Sequence, residues 1–183
     1  ESGVYDYFDK TPPLELEDDY QRCSEKYELP ILAGGWFYVL GRDEDLLMEN
    51  LRLGARLGSL VHNTQIIMDH QDGSLVSDEQ VVEIYLRAYE TGEACGCRPT
   101  FEVHVNMWSE DFRRIEKVAD LVEKQGIPFR MTLDHSHVIF KIDNPREQEV
   151  FNIRESIENG DLILDPFQDN HVCGKWIDRG FVN

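Results

Sequence analysis

Two short segments carry the side chains best suited to chemistry, Glu102-Val103-His104 and Asp134-His135-Ser136-His137. Carboxylate and imidazole are the pair that acid–base catalysis uses near neutral pH, and together they also ligate divalent metals. Asp134 and His137 lie three residues apart, a separation that lets both face inward from a strand-to-loop turn and converge on one ion. Glu102 is placed to add a second carboxylate from the neighbouring strand. Glu102, Asp134 and His137 are therefore the candidate ligands of a divalent metal ion (Mn, Co, Zn or Mg). His137 and His104 are the candidates for moving a proton or orienting a substrate. His135 is expected to point away, toward the helix layer. An internal hydrogen-bond and salt-bridge network, for instance Glu102 with Arg130, would occupy the same residues without any catalytic role.

The elements that must position these groups alternate along the chain as βα units. Strands are expected at 3–8, 30–39, 59–67, 100–106 and 129–135. Between them, Asp43, Glu44 and Asp45 place negative charge in the first turn of a helix through Leu57. Ser77 with Gln80 forms a capping box ahead of Val81, Ile84, Tyr85 and Ala88, with Gly92 as a stop. Ser109 is expected to cap a helix whose Phe112, Ile115, Ala119 and Val122 share a face, ending at Gly126. Asn144-Pro145 opens a further helix that runs to Asn159-Gly160. Trp176–Asn183 has the pattern of a strand beginning.

Such a series gives an α/β fold of (β/α) TIM-barrel type with parallel strands, incomplete at about five to six of eight βα units. It is expected as a single, partial domain over residues 1–183. Parallel strands covered on both faces should be continuously apolar, yet two of these alternate. Glu102, His104 and Asn106 oppose Phe101, Val103 and Val105, and Arg130, Thr132 and Asp134 oppose Phe129, Met131 and Leu133. The polar stripes should look into a barrel interior or cleft, where charge persists only if paired or metal-bound.

Softer candidates surround this centre. Trp36, in Gly34-Gly35-Trp36-Phe37-Tyr38, could stack on a sugar face, although strand aromatics usually fill core. The polar loop Asp69–Gly73 is a rim or a turn. Arg130 and Lys141 are the cations available to a substrate anion. Glu110 is expected as an exposed acid at a helix start.

The 183 residues hold 36 Asp and Glu against 18 Lys and Arg, a formal charge of −18, with 41% hydrophobic residues. That is enough apolar material for a core, and the charge works against nucleic acid as a partner. The longest apolar runs fall short of a membrane span, and no signal peptide is expected. Four irregularly spaced cysteines fit reduced thiols and a cytoplasmic location. No dinucleotide fingerprint, phosphate loop or nucleophile elbow occurs.

Phe-Glu-Val-His at 101–104 and Leu-Asp-His-Ser-His at 133–137 resemble the xylose isomerase-like TIM-barrel superfamily, which carries a strand glutamate and an Asp-x-x-His on the next strand. The resemblance implies strands two to six of eight, with Glu102 and Asp134 as metal ligands and His137 as a ligand or substrate contact. Val61-His62-Asn63 resembles the position of a further site histidine, His62. Trp108 lies near the place where the epimerases carry a second catalytic glutamate, a departure from the family pattern. The family's last two metal ligands would lie beyond this chain. The implied function is a divalent-metal-dependent sugar isomerase or epimerase acting on a carbohydrate or polyol. An endonuclease IV-like phosphodiesterase is the alternative enzyme. A non-catalytic incomplete barrel, its open edges binding a partner chain, is the alternative without turnover. A homo-oligomer, or association with a missing barrel segment, is expected on the same ground.

Overall fold

The computed structural model describes residues 3–182. The chain divides into two compact units that succeed one another at Phe101 and Glu102.

In the first unit, β1 (Phe8–Asp9), β2 (Ile31–Tyr38), β3 (Val61–Ile66) and β4 (Arg98–Glu102, whose last residue opens the second unit) follow one another in parallel. Phe8 is paired with Ile31, Ala33 with Val61, and Val61 with Arg98. Parallel neighbours need a crossover. The helices α1 (Glu17–Tyr27), α2 (Glu44–Leu57) and α3 (Asp78–Cys95) supply one each. The expected capping box of Ser77 and Gln80 starts α3, and Gly58 and Gly96, both at positive φ, end α2 and α3. Leu47, Leu51 and Gly54 of α2 and Ile84, Tyr85 and Ala88 of α3 are buried along one stripe of each helix. Each leucine so buried contributes roughly 2 kcal/mol relative to exposure. The period of two then sorts the strands. Tyr38 faces α2, because Asn50 of that helix donates to its hydroxyl at 2.9 Å, and Phe101 packs edge-on against Tyr85 of α3. On the opposite face, the Thr100 hydroxyl donates to Asn63 Oδ1 at 3.0 Å.

In the second unit, the Val103 N–H donates to the Thr132 carbonyl at 3.1 Å. This bond carries the strand order on to β5 (Met131–Thr132). Five helices follow or intervene: α4 (Phe112–Glu123), α5 (His135–Asp143), α6 (Pro145–Glu149), α7 (Arg154–Glu158) and α8 (Val172–Asp178). Ile115, Val118, Ala119 and Val122 bury one face of α4. The T-shaped pairs Phe112–Trp176 and Phe129–Phe181 fill the core beside it. Val182 makes an isolated parallel bridge to Met131, while Trp176, expected at the entry to a strand, lies in α8.

Sequential parallel strands joined by helices, β1-β2-β3-β4-β5, wind in one direction as barrel strands do, without the reversal of a doubly wound sheet. The fold is α/β and of incomplete TIM-barrel type, with five strands among the described residues where a full barrel has eight. Among the described residues, no helix is long and apolar enough to cross a membrane.

Several boundaries differ from expectation for identifiable reasons. The strand expected at 100–106 ends at Glu102, because the following segment turns through Asn106, whose φ is +62°. The strand expected at 129–135 stops at Thr132, because Asp134 caps α5. The helix expected from 144 to 159 is divided into α6 and α7 by Asn152 at φ +52°. Asp111, not Ser109, caps α4, accepting from the Arg113 N–H at 3.1 Å.

Candidate active site

The chemistry-bearing residues of the second unit gather just past the C-terminal ends of β4 and β5. This is the end of a parallel sheet where βα loops build active sites. His104 follows β4 by two residues and Asp134 follows β5 by two. Asp134 Oδ1 accepts from the Ser136 N–H at 2.8 Å and from the Ser136 hydroxyl at 2.6 Å. Asp134 is thus the N-cap of α5 and His137 the third helical residue, so the Asp-x-x-His spacing is that of a helix start. The arrangement brings His137 Nε2 to 3.5 Å from Asp134 Oδ2.

The two histidines meet: the His104 and His137 rings lie 3.9 Å apart between centroids, tilted by 45°. His104 Nδ1 is 2.7 Å from the Val105 carbonyl, which only accepts, so Nδ1 carries the proton. The Asp134 carboxylate favours the proton of His137 on Nε2, leaving Nδ1 as the lone-pair nitrogen. That Nδ1 is buried and has no hydrogen-bond partner among the described residues. Burial lowers the proton affinity of His137, and the neighbouring His104 lowers it further, outweighing the opposing pull of Asp134 and Glu110. His137 is therefore mainly neutral at pH 7, as a general base must be. Burial pushes the Asp134 carboxyl up, but the hydrogen bonds from Ser136 more than offset this, and it stays below the ordinary range.

The expected three-ligand metal centre of Glu102, Asp134 and His137 is not assembled. Among the described residues, no group of three or more His, Cys, Asp or Glu side chains converges on a point that could hold an ion. Asp134 and His137 supply two donors of suitable chemistry. Glu102 is buried at the end of β4 and does not complete a set with them.

The expected substrate contacts are placed elsewhere. His62 lies in the first unit, fully buried on the face that meets α2. Asn50 donates to the Tyr38 hydroxyl, which donates on to His62 Nε2 at 2.7 Å, and His62 Nδ1 then donates to Thr11 Oγ1 at 3.3 Å. Burial pushes its pKa down to about 4. This is a satisfied core histidine, not one open to substrate. Trp36, on the same strand face as Tyr38, lines a groove of about 250 Å³ with Pro12, Leu46 and Asn50, and the Lys10 ammonium sits 5.6 Å over its ring. Trp108 is 1% exposed and offers no free face. Arg130 precedes β5, at the opposite end of that strand from Asp134, and donates to the Gly180 carbonyl at 2.6 Å. His135 is exposed at the first turn of α5. Glu110, expected on the surface, is buried and faces Lys141 at 3.1 Å. Its signal in the sequence was Lys141 on the His137 face of α5, legible only once α5 is recognised as a helix.

No family model and no curated protein matches the chain. Among solved structures, similarity is found to the "Crystal structure of a putative phosphonomutase from Burkholderia cenocepacia J2315", at 14% identity and a TM-score of 0.43. The match covers 72% of this chain and 57% of that one, so this chain spans little more than half of that neighbour. The resemblance to the xylose isomerase-like superfamily is corrected accordingly. Its short motifs recur without a family match, and the helix start at Asp134 accounts for the longer of them.

Proposed function

We propose that the chain is an enzyme whose chemistry is proton transfer by His137, oriented by Asp134 and paired with His104, on a small hydroxylated carbonyl compound. The observation that carries this reading is the contact of two histidine rings beside a carboxylate at the C-terminal ends of consecutive parallel strands. His137 would accept a carbon- or oxygen-bound proton and return it. Asp134 would hold the ring and stabilise the imidazolium formed, and His104 would exchange the proton onward or donate to the substrate oxygen. The 3.5 Å gap between Asp134 and His137 is longer than a hydrogen bond, a looseness common in sites without ligand. Isomerisation or epimerisation of a carbohydrate or polyol is the finer form of the same chemistry.

The test is solvent-deuterium incorporation into a panel of aldoses, ketoses and hydroxy acids, followed by proton NMR. Wild type should exchange at least one compound, and His137→Ala should slow that exchange by about 10²-fold or more. Equal exchange in the variant would sink the assignment.

A second reading rests on the same gap, which also fits two adjacent positions on one divalent ion. Asp134 and His137 would hold it, with water or substrate completing its shell, and its contribution would be to polarise a substrate oxygen. Elemental analysis of wild type beside Asp134→Asn tests this: near-stoichiometric Mn, Co, Zn or Mg lost in the variant supports it, and equal content in both removes it.

A further inference from the structure

We propose that Glu110 and Lys141 form a buried positioning pair that aims His104 at His137, a role that rests on the proton-transfer reading above. Glu110 ends a short 3-10 turn at Trp108–Glu110, six residues past His104, and is 4% exposed. Its Oε2 accepts from the Asn106 N–H at 2.5 Å, and its Oε1 accepts from Lys141 Nζ at 3.1 Å. Lys141 is 1% exposed and stands on α5 four residues after His137, one turn along the same helix face. Its ammonium also donates to the Glu147 carbonyl at 2.7 Å. A single carboxylate therefore joins the segment that carries His104 to the helix that carries His137.

The segment needs such a tie. Val103 still donates to the Thr132 carbonyl at 3.1 Å, but beyond it the chain turns away through Asn106 in the left-handed region. Ser109 secures one end, its hydroxyl donating to the Glu102 carbonyl at 2.6 Å and accepting from the His104 N–H at 3.3 Å. Glu110 secures the other end through Asn106. Burying both charges carries a desolvation penalty that an apolar contact between the same elements would avoid. What the pair supplies is direction: two carboxylate oxygens, each committed to a donor on a different element, fix how far the His104 segment stands from α5.

The contact is measurable without a substrate. In wild-type protein carrying labelled histidine, an NOE should connect the His104 and His137 rings, and the His137 ring protons should show a ring-current shift. Glu110→Gln and Lys141→Met each leave one polar partner buried, so the informative variant is the double substitution Glu110→Gln/Lys141→Met, in which neither charge is left alone. It should stay folded, judged by an unchanged Phe129–Phe181 ring NOE, yet lose the His104–His137 NOE at least threefold. Lys141→Arg, which keeps the charge, should retain it. A folded double variant with the histidine contact intact overturns the proposal. Failure of wild type to exchange deuterium into any compound would remove the proton-transfer reading, while the ring NOE would still decide whether this pair positions the two histidines.

Discussion

At the scale of single residues, His62 shows what burial does to a histidine that already has its hydrogen-bond partners. His62 is held neutral in the core of the first unit, with a pKa near 4 against an ordinary 6.5. The folded state then binds fewer protons than the unfolded chain between those values. The stability that depends on neutral His62 is complete above pH 6.5 and is lost as pH falls toward 4, by about 3 kcal/mol in all. Urea unfolding at pH 7 and at pH 4.5 should show this fall, and His62→Gln should flatten it; a profile unchanged by the substitution would contradict the assignment. Asp134 has two roles that substitution can separate. Asp134→Ala should remove the helix cap and destabilise by about 1 kcal/mol, whereas Asp134→Asn keeps a capping side chain and should cost less, and thermal unfolding of both variants checks the difference. The Asp-x-x-His pattern stands out in the sequence, but its local structure does not. Its spacing, expected at a strand-to-loop turn, is that of a helix cap and its first turn, a difference that went unseen because α5 carries few of the signals that mark a helix beforehand.

At the scale of elements, what the sequence showed well was what local chemistry controls. The capping box at Ser77, the acidic first turn at Glu44 and the stripe of α4 each specify a helix without help from the rest of the chain. Strand ends and α5 depended on non-local contacts, and α1 buries none of its residues, so no apolar stripe announced it. Gly92 was taken as a stop signal but lies inside α3, where a Cβ would come within 2.6 Å of Pro99 Cδ and 2.7 Å of the Cys97 carbonyl. The collision outweighs the gain in helix propensity, and Gly92→Ala should destabilise by roughly 1–3 kcal/mol. Gly174 in α8 has open space around the same position, so Gly174→Ala should stabilise by up to about 1 kcal/mol. Thermal unfolding of the two variants should therefore move in opposite directions, and a shared direction would contradict the packing described for Gly92.

At the scale of the whole molecule, the winding of βα units was legible because each unit repeats the alternation of strand, helix and turn. The extent of each strand and the placement of Trp36 and His62 on the helix-facing side were not, because a strand's period of two gives its faces without saying which one meets the helices. The net charge of −18 adds a global term that no single contact carries. Raising NaCl from about 0.1 M to about 1 M shortens the screening length from about 10 Å to about 3 Å and should raise the melting temperature by relieving repulsion. A lower melting temperature in salt would mean that attractive pairs such as Arg179 with Asp120 and Glu123 dominate instead. The central claim, that His104 and His137 act as one unit, is tested most directly by an NMR titration of the labelled histidines in wild type and in His104→Ala. The account predicts a His137 midpoint below 6.5 that rises when His104 is removed. A midpoint at or above 6.5, unmoved by the substitution, would contradict it.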